Sequence, residues 1–480
     1  MERPEPLPKL ATGVEGLDSI LEGGLPQART TLVVGEAGSG KTVLALEMLY
    51  RGAMSGQPGV LISFEETGEA IRGNAFSMGW DLAALEAKGL LAVIRPKIDY
   101  NAIFAGEFSI KGLLAILSGQ AKKISASVVV IDAVDVLMCL FNDPLRQRNE
   151  LYSLHEWLMQ SGLTAVLTAK SGQDTGLARD FTFMEFMADC VIQATQRVDT
   201  QVSTRRLRVL KYRGSAYGSN EYPFVITPRG IVIVPVSDAE LAHRPLGAPV
   251  SAGQSELDAV LGGGYCRGAS VLIAGPTGSG KTTLACTFAQ AACRRQERTL
   301  YVSFEESREA LTGAMLSPGI DLRPLLEDGS LEILTAMPEA LGAEHHLLRI
   351  FQRIDDFEPE HLVVDAISAA RRIGSEQAAF DFLIRLLNRC KERGITCIYV
   401  NQTGGAVSME VLSGIGISSL IDAIVMLGFV RSGCEMERTL LVLKSRGRNH
   451  SNKFHKFSIS SKGVALKTPG AHLSSEGKDK

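Results

Sequence analysis

The segments "GEAGSGKT" (35–42) and "GPTGSGKT" (275–282) decide how this chain is read. Each follows an apolar, β-rich run, "TTLVV" or "SVLIA", and each opens a helical pattern such as "KTVLALEMLYRGA". G-x-x-x-x-G-K-[ST] between a strand and a helix is the phosphate-binding loop. Its glycines (Gly35, Gly38 and Gly40; Gly275, Gly278 and Gly280) let backbone N–H groups curl around phosphates without side-chain obstruction. Ser39, Thr277 and Ser279 complete the loops. Lys41 and Lys281 are placed to contact the β- and γ-phosphates, and Thr42 and Thr282 to offer a hydroxyl to Mg2+. The helix N-terminus adds favourable partial charge. ATP and Mg2+ are the expected ligands.

Other motifs repeat in step with these loops. "SFEET" begins at Ser63 and "SFEES" at Ser303, the same offset of 240 residues. Leu17-Asp18 and Leu257-Asp258, Gly23-Gly24 and Gly263-Gly264, and Asp81-Leu82 and Asp321-Leu322 keep it. Further along the offset becomes 233: Asp132 pairs with Asp365, and "KYRG" (211–214) with "KSRG" (444–447). Seven residues are therefore lost between the second "FEE" and the second acidic strand end. Chance does not hold a register over so many motifs. The sequence predicts two homologous domains, 1–237 and 248–465, joined by a linker at 238–247 and followed by a polar tail at 466–480. Near-continuous apolar strands alternating with helices predict, in each half, an α/β fold with a mainly parallel sheet covered on both faces. "RLRVLKYRG" and "GIVIVPV" read as added edge strands.

Bulk properties narrow the partners. A length of 480 residues exceeds one ordinary core, in keeping with two domains. The formal net charge of -3 gives no field that would gather nucleic acid or an anionic membrane. "MERPEPLPKL" has no apolar core segment, and no run approaches the roughly 20 apolar residues of a membrane span. Eight cysteines are scattered without a CxxC, mostly in apolar contexts such as "VLMCL" and "ITCIYV". They read as reduced, buried thiols of a cytoplasmic protein.

The strand ends carry the remaining chemistry. "SVVVID" and "HLVVD" place Asp132 and Asp365 to hold the Mg2+ shell. "GVLISFEE" and "TLYVSFEE" end another strand in paired carboxylates, Glu65 and Glu66, Glu305 and Glu306. A carboxylate there can orient or deprotonate an attacking hydroxyl, and repulsion within the pair favours a proton-accepting role. Sequence alone leaves open which member of each pair is the base. Lys211 and Arg213, and Lys444 and Arg446, stand two apart, so each pair points to one face of a strand. Such cations suit a nucleotide held by a neighbouring subunit, or an edge strand discouraging aggregation.

The duplicated loop, "FEE", acidic strand end and "K-x-R-G", with "EYPFVITPRGI" at 221–231, resemble the KaiC family. These are RecA-superfamily ATPases of the cyanobacterial clock, with relatives in other bacteria and archaea. The resemblance runs to about residue 465. It implies a double-ring homohexamer with ATP between protomers, reached across the interface by Lys211, Arg213, Lys444 and Arg446. It implies slow ATP hydrolysis in the N-terminal ring. In the C-terminal ring it implies serine/threonine autophosphorylation and dephosphorylation. The family's phosphorylated Ser-Thr pair falls on Ser418 and Ser419 of "ISSLID", and an upstream threonine on Ser413. Ser-Ser points to a non-clock branch. His450, in the motif "KSRGRNH", matches the family, whereas the first half has Tyr217 at that position. The short "KTPGAHLSSEGKDK" end lacks the segment that a KaiA-type activator binds. "ARDFTFMEFMADCVI" resembles the region that meets KaiB, which implies a KaiB-like partner; a histidine-kinase-type signalling partner is the alternative.

Two other functions share the same core. A nucleic-acid motor would need a basic cluster or an aromatic-rich loop, and "ARRIGS" (370–375) is too small a patch. An ATP-assembled scaffold would leave "ISSLID" purely structural, with serine as a turn or cap residue.

Overall fold

The computed structural model describes residues 7–96, 109–141, 143–171, 182–199, 202–233, 244–373, 375–403 and 420–467. Ser413, Ser418 and Ser419 lie outside them. The chain divides into two compact units, one over residues 1–198 and 203–236, the other over 237–480 with the short stretch 199–202.

In the first unit the apolar runs become β1 (Thr30–Gly35), β2 (Gly59–Ser63), β3 (Leu91–Ile94), β4 (Val128–Asp132), β5 (Thr164–Lys170), β6 (Cys190–Asp199), β7 (Val202–Tyr212), β8 (Glu221–Thr227) and β9 (Gly230–Ile233). They form one sheet in the order β9-β8-β7-β6-β1-β5-β4-β2-β3. The neighbours of β1, and the pairs formed among β2 to β5, are parallel, while β8 runs antiparallel to β7 and β9. Every residue of β1, β2 and β4 is buried, the mark of a central strand covered on both faces. One face carries α1 (Lys41–Met54), whose Leu44, Met48 and Leu49 join Val33, Leu61 and Val130 in one cluster. The other carries α2 (Lys111–Lys123) and α3 (Pro144–Ser161), packed through Leu113, Leu117, Leu151 and Leu154.

The second unit repeats the design. Its strands are β10 (Ser270–Gly275), β11 (Thr299–Ser303), β12 (Leu331–Thr335), β13 (His361–Asp365), β14 (Thr396–Gln402), β15 (Ala423–Ser432), β16 (Glu435–Ser445), β17 (His455–Ser460) and β18 (Gly463–Lys467). Their order, β12-β11-β13-β14-β10-β15-β16-β17-β18, matches the first sheet strand for strand. The helix after the loop is α4 (Lys281–Arg294), and α5 (Glu376–Arg393) precedes β14.

Two features differ from the sequence reading. The strands bearing "KYRG" and "KSRG" are not edges: two further strands, β8 and β9 or β17 and β18, cover them. The outermost positions fall to β9 and β18, where the later apolar runs complete the sheet by antiparallel pairing. The internal repeat also takes one more step. Thr30 is paired with Ala165, and its counterpart Ser270 with Cys397, so β5 and β14 differ by 232 residues rather than 233. The α3 and α5 helices have equal length, so the residue is lost in the loop before them, where it disturbs no pairing.

Of the cysteines, Cys190, Cys286, Cys293, Cys390 and Cys397 are buried and all eight are free thiols. Cys139 of "VLMCL", just after the short helix that ends at Met138, is exposed. Among the described residues no helix is long and apolar enough to cross a membrane.

Candidate functional site

Each glycine-rich loop leaves the C-terminal end of the middle strand of its sheet and enters a helix. The fit is too close for a side chain at the first glycine. A Cβ on Gly35 would stand 2.1 Å from the Ala194 carbonyl oxygen, and one on Gly275 2.5 Å from that of Leu427. Gly38, Gly40, Gly278 and Gly280 have φ of 78°, 96°, 77° and 98°, the left-handed region that favours glycine. These turns fold each lysine back over its own loop. Lys41 Nζ donates to the Glu36 carbonyl at 2.8 Å and Lys281 Nζ to that of Pro276 at 2.9 Å. The Ser39 hydroxyl donates to the same Glu36 carbonyl at 2.8 Å, while that of Ser279 is buried without a partner among the described residues. A cradle only glycine can line, a curled lysine and a spare hydroxyl fit a polyphosphate.

The strand-end aspartates come beside the loops. Thr42 Oγ1 donates to Asp132 Oδ1 at 3.0 Å, and the buried Thr168 donates to the same oxygen at 2.6 Å. In the second unit Asp365 is hydrogen-bonded by Thr282, and Tyr301 Oη donates to its Oδ2 at 2.7 Å. Among the described residues no group of three or more His, Cys, Asp or Glu is arranged to hold a metal ion by itself. A hydroxyl and one carboxylate are a sparse, all-oxygen donor set. They suit a cation that completes its shell with phosphate and water, as Mg2+ does.

The glutamate pairs are drawn to the same place by backbone bonds. Phe64 N–H donates to the Asp132 carbonyl at 2.7 Å, and Phe304 N–H to that of Asp365 at 2.8 Å. Thr67 and Ser307 then cap the helices that follow, accepting from Ala70 and Ala310 N–H at 3.1 Å in each case. Within each pair the two carboxylates are not equivalent. Burial pushes the Glu65 carboxyl up, reinforced by Asp132 and Asp135, while Glu66 accepts a bond from Asn74 at 2.9 Å. In the second unit it is Glu306 whose carboxyl rises, through burial and then through Asp365 and Glu305. Position 314, the counterpart of Asn74, is alanine. Burial lowers the ammonium pKa of both loop lysines, opposed by Asp135, Glu65 and Asp132 at Lys41 and by Asp365 and Glu305 at Lys281. Burial likewise raises Asp365, offset by Tyr301, Thr282 and Lys281.

Lys211, Arg213, Lys444 and Arg446 are at the other end of the sheet. Lys211 Nζ and Arg213 Nη2 donate to the Phe186 carbonyl at 3.1 and 2.7 Å. Arg213 N–H binds the Asp189 carbonyl, and Asp189 N–H binds that of Thr30, the first residue of β1. In the second unit Arg446 N–H binds the Asp422 carbonyl and Asp422 N–H that of Ser270, the first residue of β10. Lys444 Nζ donates to the Ile421 carbonyl, and Asp422 forms ion pairs with Lys391 at 3.1 Å and Arg446 at 3.6 Å. The length of a six-residue strand, about 20 Å, separates these cations from the loop of their own unit. His450 Nδ1 is 3.5 Å from the Arg448 carbonyl, and Tyr217 Oη donates to that of Leu210 at 3.4 Å.

A family model described as "ATPase: KaiC" matches the chain twice, over residues 10–238 and 250–471. The chain belongs to the KaiC family. It is 39% identical over 462 residues to the circadian clock protein KaiC2 of Synechocystis sp., covering 95% of this chain and 81% of that one. It is 32% identical over 464 residues to KaiC3 of the same organism, covering 96% and 92%. It is 34% identical over 462 residues to the circadian clock oscillator protein KaiC of Synechococcus elongatus, covering 96% and 89%.

Some residues of this KaiC-family site escaped the sequence reading. Arg205 Nε donates to the Gly38 carbonyl at 3.2 Å, and Arg438 Nε to that of Gly278 at 3.1 Å, so each braces the loop. The signal was present, since the two arginines keep the offset of 233, Arg205 standing immediately before "RLRVLKYRG". Gln402 also ties down Thr277, donating to its hydroxyl at 2.6 Å. Thr168 and Tyr301 carry no motif and could be found only from the fold.

Proposed function

We propose that the chain binds MgATP at both loops, hydrolyses it in the N-terminal half, and transfers phosphate to its own serines in the C-terminal half. The cycle serves as a signalling or timing switch. The observation that carries this reading is the twofold cluster of loop lysine, threonine–aspartate pair and a carboxyl held above the ordinary carboxylate range. Mg2+, when bound, neutralises phosphate charge. Thr42 with Asp132, and Thr282 with Asp365, are the residues that would hold it.

The chain's own groups have distinct tasks. Lys41 and Lys281 leave their loop carbonyls to meet phosphate oxygens, and the loop N–H groups orient the chain of phosphates. Glu65 accepts a proton from water in the first half, and Glu306 from a serine hydroxyl in the second. Glu66 and Glu305 assist by keeping negative charge nearby. Ser418 and Ser419 are the acceptors, with Ser413 as a further one.

Assembly enters through distance. Asp422, three residues after Ser419, is anchored at the end of β10 remote from the loop of its own unit. Lys211, Arg213, Lys444 and Arg446 share that end of their sheets. Both facts favour a homohexamer in which serines and cations serve the neighbour's ATP. A KaiB-like or histidine-kinase-type partner would then read the phosphorylated state. Incubation with MgATP followed by phosphopeptide mass spectrometry tests the central claim. Phosphate on 413–419 is expected; its absence with nucleotide bound and Lys281 intact would defeat the kinase reading.

A further inference from the structure

The two aspartates are held from opposite sides. In the first sheet β4 lies between β5 and β2, and Asp132 receives its buried hydroxyl from Thr168 of β5. In the second, β13 lies between β14 and β11, and Asp365 receives it from Tyr301 of β11. The pairing registers identify the equivalent positions. Leu61 pairs with Val130 as Tyr301 pairs with Val363, so Leu61 is the counterpart of Tyr301. Ala165 corresponds to Cys397, so Thr168 is matched by Val400. Each unit therefore has one hydroxyl and one aliphatic side chain at these two positions, exchanged between strands. All four residues are buried.

Such an exchange has a physical reading. A buried carboxylate needs donors, and the strand that supplies the donor matters less than its presence. A phenol is also costly to bury unless its hydroxyl is bonded. Tyr301 meets that need twice, donating to Asp365 and accepting from the Cys286 thiol at 3.8 Å. The position equivalent to Cys286 is Leu46, so in the first unit both of these positions, Leu46 and Leu61, are apolar.

We infer that Tyr301 is a positioning residue of the C-terminal nucleotide site, fixing Asp365 from β11 as Thr168 fixes Asp132 from β5. Its O–H holds Asp365 Oδ2 and so fixes the orientation of the carboxylate that Thr282 also bonds. The inference rests on the nucleotide and metal reading of that site, and it makes metal affinity there depend on a phenol whose counterpart in the N-terminal half is the aliphatic Leu61.

The test uses full-length protein carrying Lys41→Ala, so that only the second site loads. Mn2+ serves as a spin probe for Mg2+, with a non-hydrolysable ATP analogue, and bound Mn2+ is counted by electron paramagnetic resonance. Tyr301→Phe is expected to weaken Mn2+ binding about tenfold or more, as loss of a partner behind a metal ligand does. Nucleotide affinity in chelator should not change. Adding Val400→Thr, which installs the other unit's donor, is expected to restore Mn2+ affinity. A merely structural role for Tyr301 would show no such rescue. If Tyr301→Phe misfolds, the double variant is read alone: parental affinity supports the inference and weakened affinity overturns it. A parent protein that binds no Mn2+ with the analogue overturns the nucleotide reading, and this inference with it. A parent that binds and a Tyr301→Phe protein that binds equally well overturn the inference alone.

Discussion

At the scale of single residues, the site works by contrast between like groups. The Glu65 carboxyl is pushed up by partial desolvation and by the charges of Asp132 and Asp135, whereas Glu66 is tied to Asn74. Glu65→Gln is expected to lower hydrolysis by the N-terminal half about 100-fold or more, and Glu66→Gln much less, in steady-state ADP release with Lys281→Ala present. The pH dependence has a definite sign. A carboxyl whose pKa is raised loses its proton-accepting form as pH falls through that raised value. The acid limb of hydrolysis is therefore expected above the pKa of an ordinary glutamate, about 4.3. For stability the sign is opposite. The ionised Glu65 is a cost at neutral pH that is relieved as pH falls through its raised pKa, so Glu65→Gln should not lower the melting temperature at pH 8. A thermal scan in that buffer checks this.

At the scale of elements, each motif depends on how a strand hands over to a helix. Gly275 is pressed against the strand that ends at Ser432, with only 2.5 Å between its notional Cβ and the Leu427 oxygen. Gly275→Ala must push β15 away or distort the loop. It is expected to abolish nucleotide binding at the second site while the first still binds, measured by titration calorimetry. The capped turns after "FEE" set a milder constraint. Thr67→Ala or Ser307→Ala should cost about 1 kcal/mol through loss of the bond to the third helical N–H, seen in denaturant unfolding. Much of this was legible, because phosphate loops and acidic strand ends keep fixed spacing along one chain segment. The sequence misplaced the "KYRG" strand at an edge because "EYPFVITPRGI" and "GIVIVPV", which cover it, carry no sign along the chain of which strand they pair with. It could not rank the two glutamates of each pair, because burial and the Asn74 contact arise only once the strand end, the capped helix and the aspartate strand are packed together.

For the whole molecule, the duplicated sites make a countable expectation. Titration with an ATP analogue should give two sites per chain, with Lys41→Ala and Lys281→Ala each removing one. Ligand at about 100 times its dissociation constant should stabilise the unit that binds it by about 2.7 kcal/mol, a shift visible by calorimetry. The sequence by itself determined the two repeated units, their α/β class and the residues of both phosphate loops, because those follow from local periodicity and from motifs that close on themselves. Tertiary structure alone decided which charges meet. It put the paired cations a full strand away from their own loops, raised Glu65 in one unit and Glu306 in the other, and braced the loops with Arg205 and Arg438. It also moved the buried donor on the strand-end aspartate from Thr168 to Tyr301. The reason is physical: burial and hydrogen bonding act between strands that neighbour one another in the sheet, and their distance along the chain carries no trace of that.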